Sequence, residues 1–221
     1  MALNLGQQIT TPAQPNLGTP TPAYDQGFFG TSFGGLNVYF AKLTAIFAAI
    51  LGPRGGKYIN NPYGAFQDGT DQVAANTTTA YAITFDTTDF SNGVTLSNSS
   101  RLNVSQAGLY NLQFSIQFKN TTNDGQDVDV WFRKNGTNID KSNSRFHLSQ
   151  RKSAGDPSHL IAALNFFVSL SANDYVEIMW RPTDVGVSIE HYAASSSPTR
   201  PAVPSVIATL SFVSNLSVET A

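Results

Sequence analysis

The run GLYNLQFSIQFK, Gly108 to Lys119, constrains the fold most. Tyr110, Leu112, Phe114, Ile116 and Phe118 alternate with Asn111, Gln113, Ser115 and Gln117. A period of two places successive side chains on opposite faces of a β-strand, so one face is buried. The other face is polar yet carries no charge over four positions. A solvent-facing strand ordinarily shows Lys or Glu there, so the pattern raises the question of what this face meets.

From about Ala80 to Val213 the same period recurs in short runs separated by turn residues. Tyr81, Ile83 and Phe85 share one face, as do Val128, Val130 and Phe132. Further along, Leu164, Phe166, Val168 and Leu170 alternate, then Val176, Ile178 and Trp180, then Val185, Val187 and Ile189, then Val206, Ala208, Leu210 and Phe212. Asn135-Gly136 is a strong two-residue hairpin signal. Arg145 to Lys152, which is basic, and the stretch holding Pro198, Pro201 and Pro204 read as exposed connections. The fold class expected is mainly β, an antiparallel β-sandwich of about 8–10 strands.

Ahead of these strands three segments are distinguished. Residues 1–35 hold Pro12, Pro15, Pro20 and Pro22, then Phe28, Phe29 and Phe33 among glycines, with Asp25 the only charged side chain. Prolines so dense deny helix and central strand, so an extended N-terminal arm is expected, with the clustered Phe side chains as its contacts. Residues 36–52 read as one short apolar helix ended by Gly52-Pro53. Leu36, Phe40, Leu43, Phe47 and Ile50 fall at spacings of 4, 3, 4 and 3, an a/d seam suited to packing against the domain or against copies of itself. The run has 16 residues with Lys42 inside, against about 20 for a membrane span, so no membrane insertion is expected. Residues 53–79 read as a linker rich in Gly, Asn and Thr, with Tyr58, Ile59, Tyr63 and Phe66 as possible packing points, and 80–221 as the β domain.

Composition narrows the function. Charged residues make up 13% of the 221 residues, about half the share in an average domain, and the net charge is -2. No basic field for nucleic acid is present. The chain has no cysteine, so neither disulfides nor thiolate chemistry enter, which fits a reducing cytosol as the place of synthesis. The first residues lack the cationic start and apolar run of a signal peptide. No Gly-x-Ser-x-Gly, phosphate loop or His-Glu-x-x-His occurs. His147, His159 and His191 are scattered. Asp124, Asp127 and Asp129 lie beside Asn123; they read either as oxygens for Ca²⁺ or as charges that blunt an edge strand. Trp131, Trp180 and Tyr192 could stack on sugars, although core packing explains Trp180 better. No catalytic residue, cofactor or metal site is assigned, and no enzyme activity is expected.

Four stretches in order, GLYNLQFSIQF, VDVWFRKNGTNI, NFFVSLSANDYVEIMW and PAVPSVIATLSFV, resemble the tumour necrosis factor-like jelly roll. More narrowly, they resemble its complement-type globular head as it occurs in bacteriophage virion proteins. The resemblance spans about Tyr81 to Val213 and leaves out the arm and helix. It implies a jelly roll and a homotrimer. The expected function is a bacteriophage structural protein in the virion, made in the host cytoplasm: a capsid decoration (cement) trimer. Phe28, Phe29, Phe33, Leu36, Phe40, Leu43, Phe47 and Ile50 are the expected oligomer interface or anchor, with the major capsid protein as partner. The alternative is a short fibre or tail-tip trimer that binds a host glycan or protein receptor.

Overall fold

The computed structural model describes residues 25–51 and 61–214, with helix side chains as far as residue 47. It falls into two units, Met1–Asn60 and Asn61–Ala221, each described here by itself.

The first unit contains α1, Gln26–Leu51. The helix starts ten residues ahead of the expected Leu36. Asp25 explains the start: its Oδ1 accepts hydrogen bonds from the backbone N–H of Gly27 (2.8 Å) and Phe28 (3.1 Å), the geometry of an N-cap. Phe28, Phe29 and Phe33 are therefore helical, not part of an extended arm. The Pro-rich residues 1–24 of that arm lie outside the described residues. Asp25→Ala is expected to fray the helix start at a cost of about 1 kcal/mol, read as lost helical signal in far-ultraviolet circular dichroism.

The second unit is built of strands β1 (Tyr63–Asp68), β2 (Gln72–Val73), β3 (Tyr81–Ala82), β4 (Thr87–Asn92), β5 (Val94–Ser97), β6 (Arg101–Val104), β7 (Gly108–Asn120) and β8 (Gln126–Lys134). The chain continues through β9 (Thr137–Asn138), β10 (Ser144–Leu148), β11 (Ser158–Leu170), β12 (Tyr175–Pro182), β13 (Val187–Ile189), β14 (Ser195–Ser196), β15 (Thr199–Arg200) and β16 (Val206–Ser214). Ten of these have four residues or more, in line with the strand number expected.

β7 is the spine of the first sheet. β11 runs antiparallel to it over thirteen pairs, from Ser158↔Asn120 to Leu170↔Gly108. On its other side β16 pairs along most of the length and β13 takes the last residues. The sheet continues from β16 through β1 to β4, and from β13 to β2. The second sheet has the order β10-β8-β12-β6-β5, with β3 beside β12 and β9 beside β8. Asn135 and Gly136 turn from β8 to β9 with φ of 47° and 82°, the left-handed region that the Asn-Gly pair tolerates.

The two sheets face each other as a sandwich. Phe114 of β7 meets Phe132 of β8 with ring centroids 6.0 Å apart, and Phe118 meets Trp180 of β12 at 6.0 Å. All five apolar residues of the β7 alternation are buried. Ile83 and Phe85 are buried as expected, held by the backbone bonds Ile83 N–H to Ile178 O and Phe85 N–H to Ser99 O.

Three expectations are corrected. The linker 53–79 contains β1, which pairs with β4 and β16; of its possible packing points Phe66 is wholly buried, as expected, while Tyr63 is exposed. Val185 lies ahead of β13 and is exposed, unlike Val187 and Ile189. The basic segment is no simple loop: Arg145, Phe146, His147 and Leu148 belong to β10, paired with β8.

Candidate assembly surface

The outward faces of the two sheets differ in chemistry. On the first sheet, the registers place Ile161 beside Gln117, Ala163 beside Ser115, Asn165 beside Gln113, and Phe167 beside Asn111. Across the other edge of β7, Ile207 stands beside Ser115, Thr209 beside Gln113, and Ser211 beside Asn111. β1 extends the face with Ala65, which pairs with the exposed Phe90 of β4. None of these residues is charged. Several are large, apolar and open to solvent: Ile161 is 62% exposed, Phe167 53% and Ile207 43%. Asn111 Oδ1 is buried on this face with no hydrogen-bond partner in the single chain.

Charge appears only at the margins. At one end the Lys119 ammonium pairs with Glu190, whose Oε2 accepts a 2.6 Å hydrogen bond from the Tyr192 hydroxyl. His159 Nδ1 lies 3.5 Å from that oxygen. Burial, then the Glu190 carboxylate, pushes the Tyr192 phenol up to about 12. Next to it His191 Nδ1 lies 2.7 Å from Asp71 Oδ1. Burial alone would raise the Asp71 pKa, but the His191 backbone N–H and ring, with Lys119, outweigh it and hold the carboxyl below its usual range. On the β4 edge, Asp89 accepts a hydrogen bond from Gln67 Nε2.

The outward face of the second sheet is laced with ions. Asp129, buried, accepts two bonds from Arg145, Nε to Oδ1 at 2.9 Å and Nη2 to Oδ2 at 3.0 Å, with Arg181 Nη1 3.5 Å away. The Arg145 bond outweighs the opposing effect of burial and holds the Asp129 carboxyl below its usual range. Glu177, also buried, accepts a bond from Ser100 Oγ at 2.9 Å, and Arg101 Nε stands 3.5 Å from it. The Arg101 guanidinium lies 4.4 Å above the Tyr175 ring. Trp131 donates its indole N–H to Asn138 Oδ1 and is half-buried, while Trp180 is core.

This geometry accounts for two of the three aspartates, Asp127 and Asp129, differently from a calcium loop. Asp127 Oδ1 lies 2.8 Å from His147 Nδ1 and Asp129 pairs with two arginines, so both carboxylates already have partners. Among the described residues no group of three or more His, Asp or Glu is placed to hold a metal ion.

Asp71, Asp129 and Asp174 all sit below the usual carboxylate range in the folded chain. A depressed folded pKa contributes stability above the unfolded value, about 3.9, and loses it as pH falls through the folded value. The melting temperature is therefore expected to hold toward pH 5 and drop below about pH 4. Asp129→Asn is expected to lower stability at neutral pH and to make the acid drop shallower.

Of the interface or anchor residues named from the sequence, all lie in α1, and the Ile50 side chain falls outside the described residues. Phe33, Phe40 and Phe47 are 60%, 57% and 55% exposed. The outward residues of β11 and β16 were not singled out, although the charge-free face of β7 pointed toward them. No protein-family model matches the chain, and no curated protein sequence matches it.

Proposed function

We propose that this chain is a bacteriophage virion structural protein, a homotrimer that decorates the capsid and bridges neighbouring copies of the major capsid protein. The observation that carries this reading is the contrast between the two sheet faces. A face mixing Asn, Gln, Ser and Thr with exposed Ile and Phe, and no charge, can be buried between identical copies without stranding an ion. Charge depletion is what distinguishes an interface core from ordinary surface. The jelly-roll resemblance supports the stoichiometry of three. Decoration needs no catalytic centre; many low-charge contacts add multivalently across the particle.

The test compares phage particles with and without the protein. Particles lacking it are expected to rupture at lower temperature, and adding back purified protein should restore them. If purified protein instead blocks phage adsorption to host cells and leaves capsid stability unchanged, the chain is a receptor-binding fibre or tail tip.

A further inference from the structure

We infer that α1 is a second contact between copies: three α1 helices pack in parallel and in register along one aromatic-aliphatic seam. The inference rests on the trimeric reading above, and it leaves particle contacts to other parts of the chain.

The helix start at Gln26 changes what the seam can do. Phe29, Phe33, Leu36, Phe40, Leu43 and Phe47 follow one another at spacings of 4, 3, 4, 3 and 4 on a helix of 26 residues. From Phe29 to Phe47 that is nearly three heptads, where the segment from Leu36 alone offered about two. Phe29 and Phe33 stack at 6.2 Å between ring centroids, one turn above the other on the seam. In the same register Phe28 sits off the seam, so it is not a contact in this arrangement.

The helix has few means of standing alone. Gly27, Gly30, Gly34 and Gly35 each cost about 1 kcal/mol relative to alanine. Lys42 is its only charged side chain, so no ion pair along the helix offsets them. A helix of this kind is held by what covers its apolar side.

The occupant is argued from charge and connectivity. No acid lies on α1, and Lys42 falls at a position pointing away from the seam, so like copies meet without opposing charges. Residues 52–60 join α1 to the strand domain, and nine residues reach about 30 Å at most. Strand domains joined as a trimer therefore bring three α1 helices together at an effective concentration of order millimolar. The number three comes from the strand domains, not from the seam.

The absence of cysteine from the chain makes the test clean. Single-cysteine full-length chains, Leu36→Cys and Phe47→Cys on the seam, and Val38→Cys and Ala45→Cys facing outward, are oxidised under mild conditions and run on a non-reducing gel. Light scattering gives the mass of each reduced sample. Covalent dimers from both seam positions, at least ten-fold above the outward ones, in a trimeric sample support the inference. A trimeric mass with no preference for the seam overturns it and leaves the trimeric strand domain standing. Cross-linking at only one seam position overturns the parallel register. A monomeric mass overturns the inference together with the reading on which it rests.

Discussion

Phe66→Ala should lower the stability of the strand domain by about 3–5 kcal/mol, the usual cost of emptying a buried phenylalanine site. Phe66 is 0% exposed in β1, packed near Phe85 with ring centroids 6.1 Å apart. The site has no slack on its neighbour's side either, because a Cβ on Gly64 would stand 2.6 Å from the Phe66 ring. Small domains are stable by about 5–15 kcal/mol in total, so the loss is a large fraction of the whole. A urea midpoint that falls steeply with an unchanged slope is the expected result. A change within about 0.5 kcal/mol would return Phe66 to the status of a linker residue.

That residue also shows where the sequence was legible and where it was not. β7, β8, β12 and β16 carry three or more large apolar residues at period two, and their inward faces are those the alternation names. β1 carries one, Phe66, and its other inward positions are Gly64 and Asp68. Asp68 is buried with its carboxylate accepting from Thr70, two residues on, and from Thr84, whose approach across the fold no local pattern announces. The start of α1 was missed for a different reason. Pro12, Pro15, Pro20 and Pro22 set the extended reading of residues 1–35 as a whole, while two available signals near its end pointed the other way. Asp25 stands in capping position, and Phe33 and Phe29 continue the seam backward from Leu36. On the second sheet, the alternation in β12 sends Glu177 outward; its burial beneath Ser100 and Arg101 depends on pairings far apart in sequence. The uncharged face of β7 was plain in the sequence. Its extension over β11 and β16 required the register, since a slip of one residue would have turned Ile161 and Phe167 inward.

Ser115→Glu is expected to break the assembly while leaving the chain folded. Ser115 lies at the middle of the uncharged face, flanked by Ala163 on β11 and Ile207 on β16. In a single chain a glutamate there reaches water, and surface substitutions of this kind shift stability by about 0.5 kcal/mol. Buried between copies, the same carboxylate has no cation within the face and carries a desolvation penalty of several kcal/mol per copy. Three equivalent carboxylates multiply the effect. Thr95→Glu, on the outward face of the second sheet, is the control and should leave the mass unchanged. Dissociation by both substitutions, or by neither, would remove the distinction between the two faces on which the proposed function stands.

The most direct test is the absolute mass of the unmodified full-length chain by light scattering. The account predicts three copies of 23.8 kDa, about 71 kDa. A mass of 23.8 kDa at micromolar concentration would contradict it, because the exposed Ile161, Phe167 and Ile207 would then face water rather than another copy of the chain.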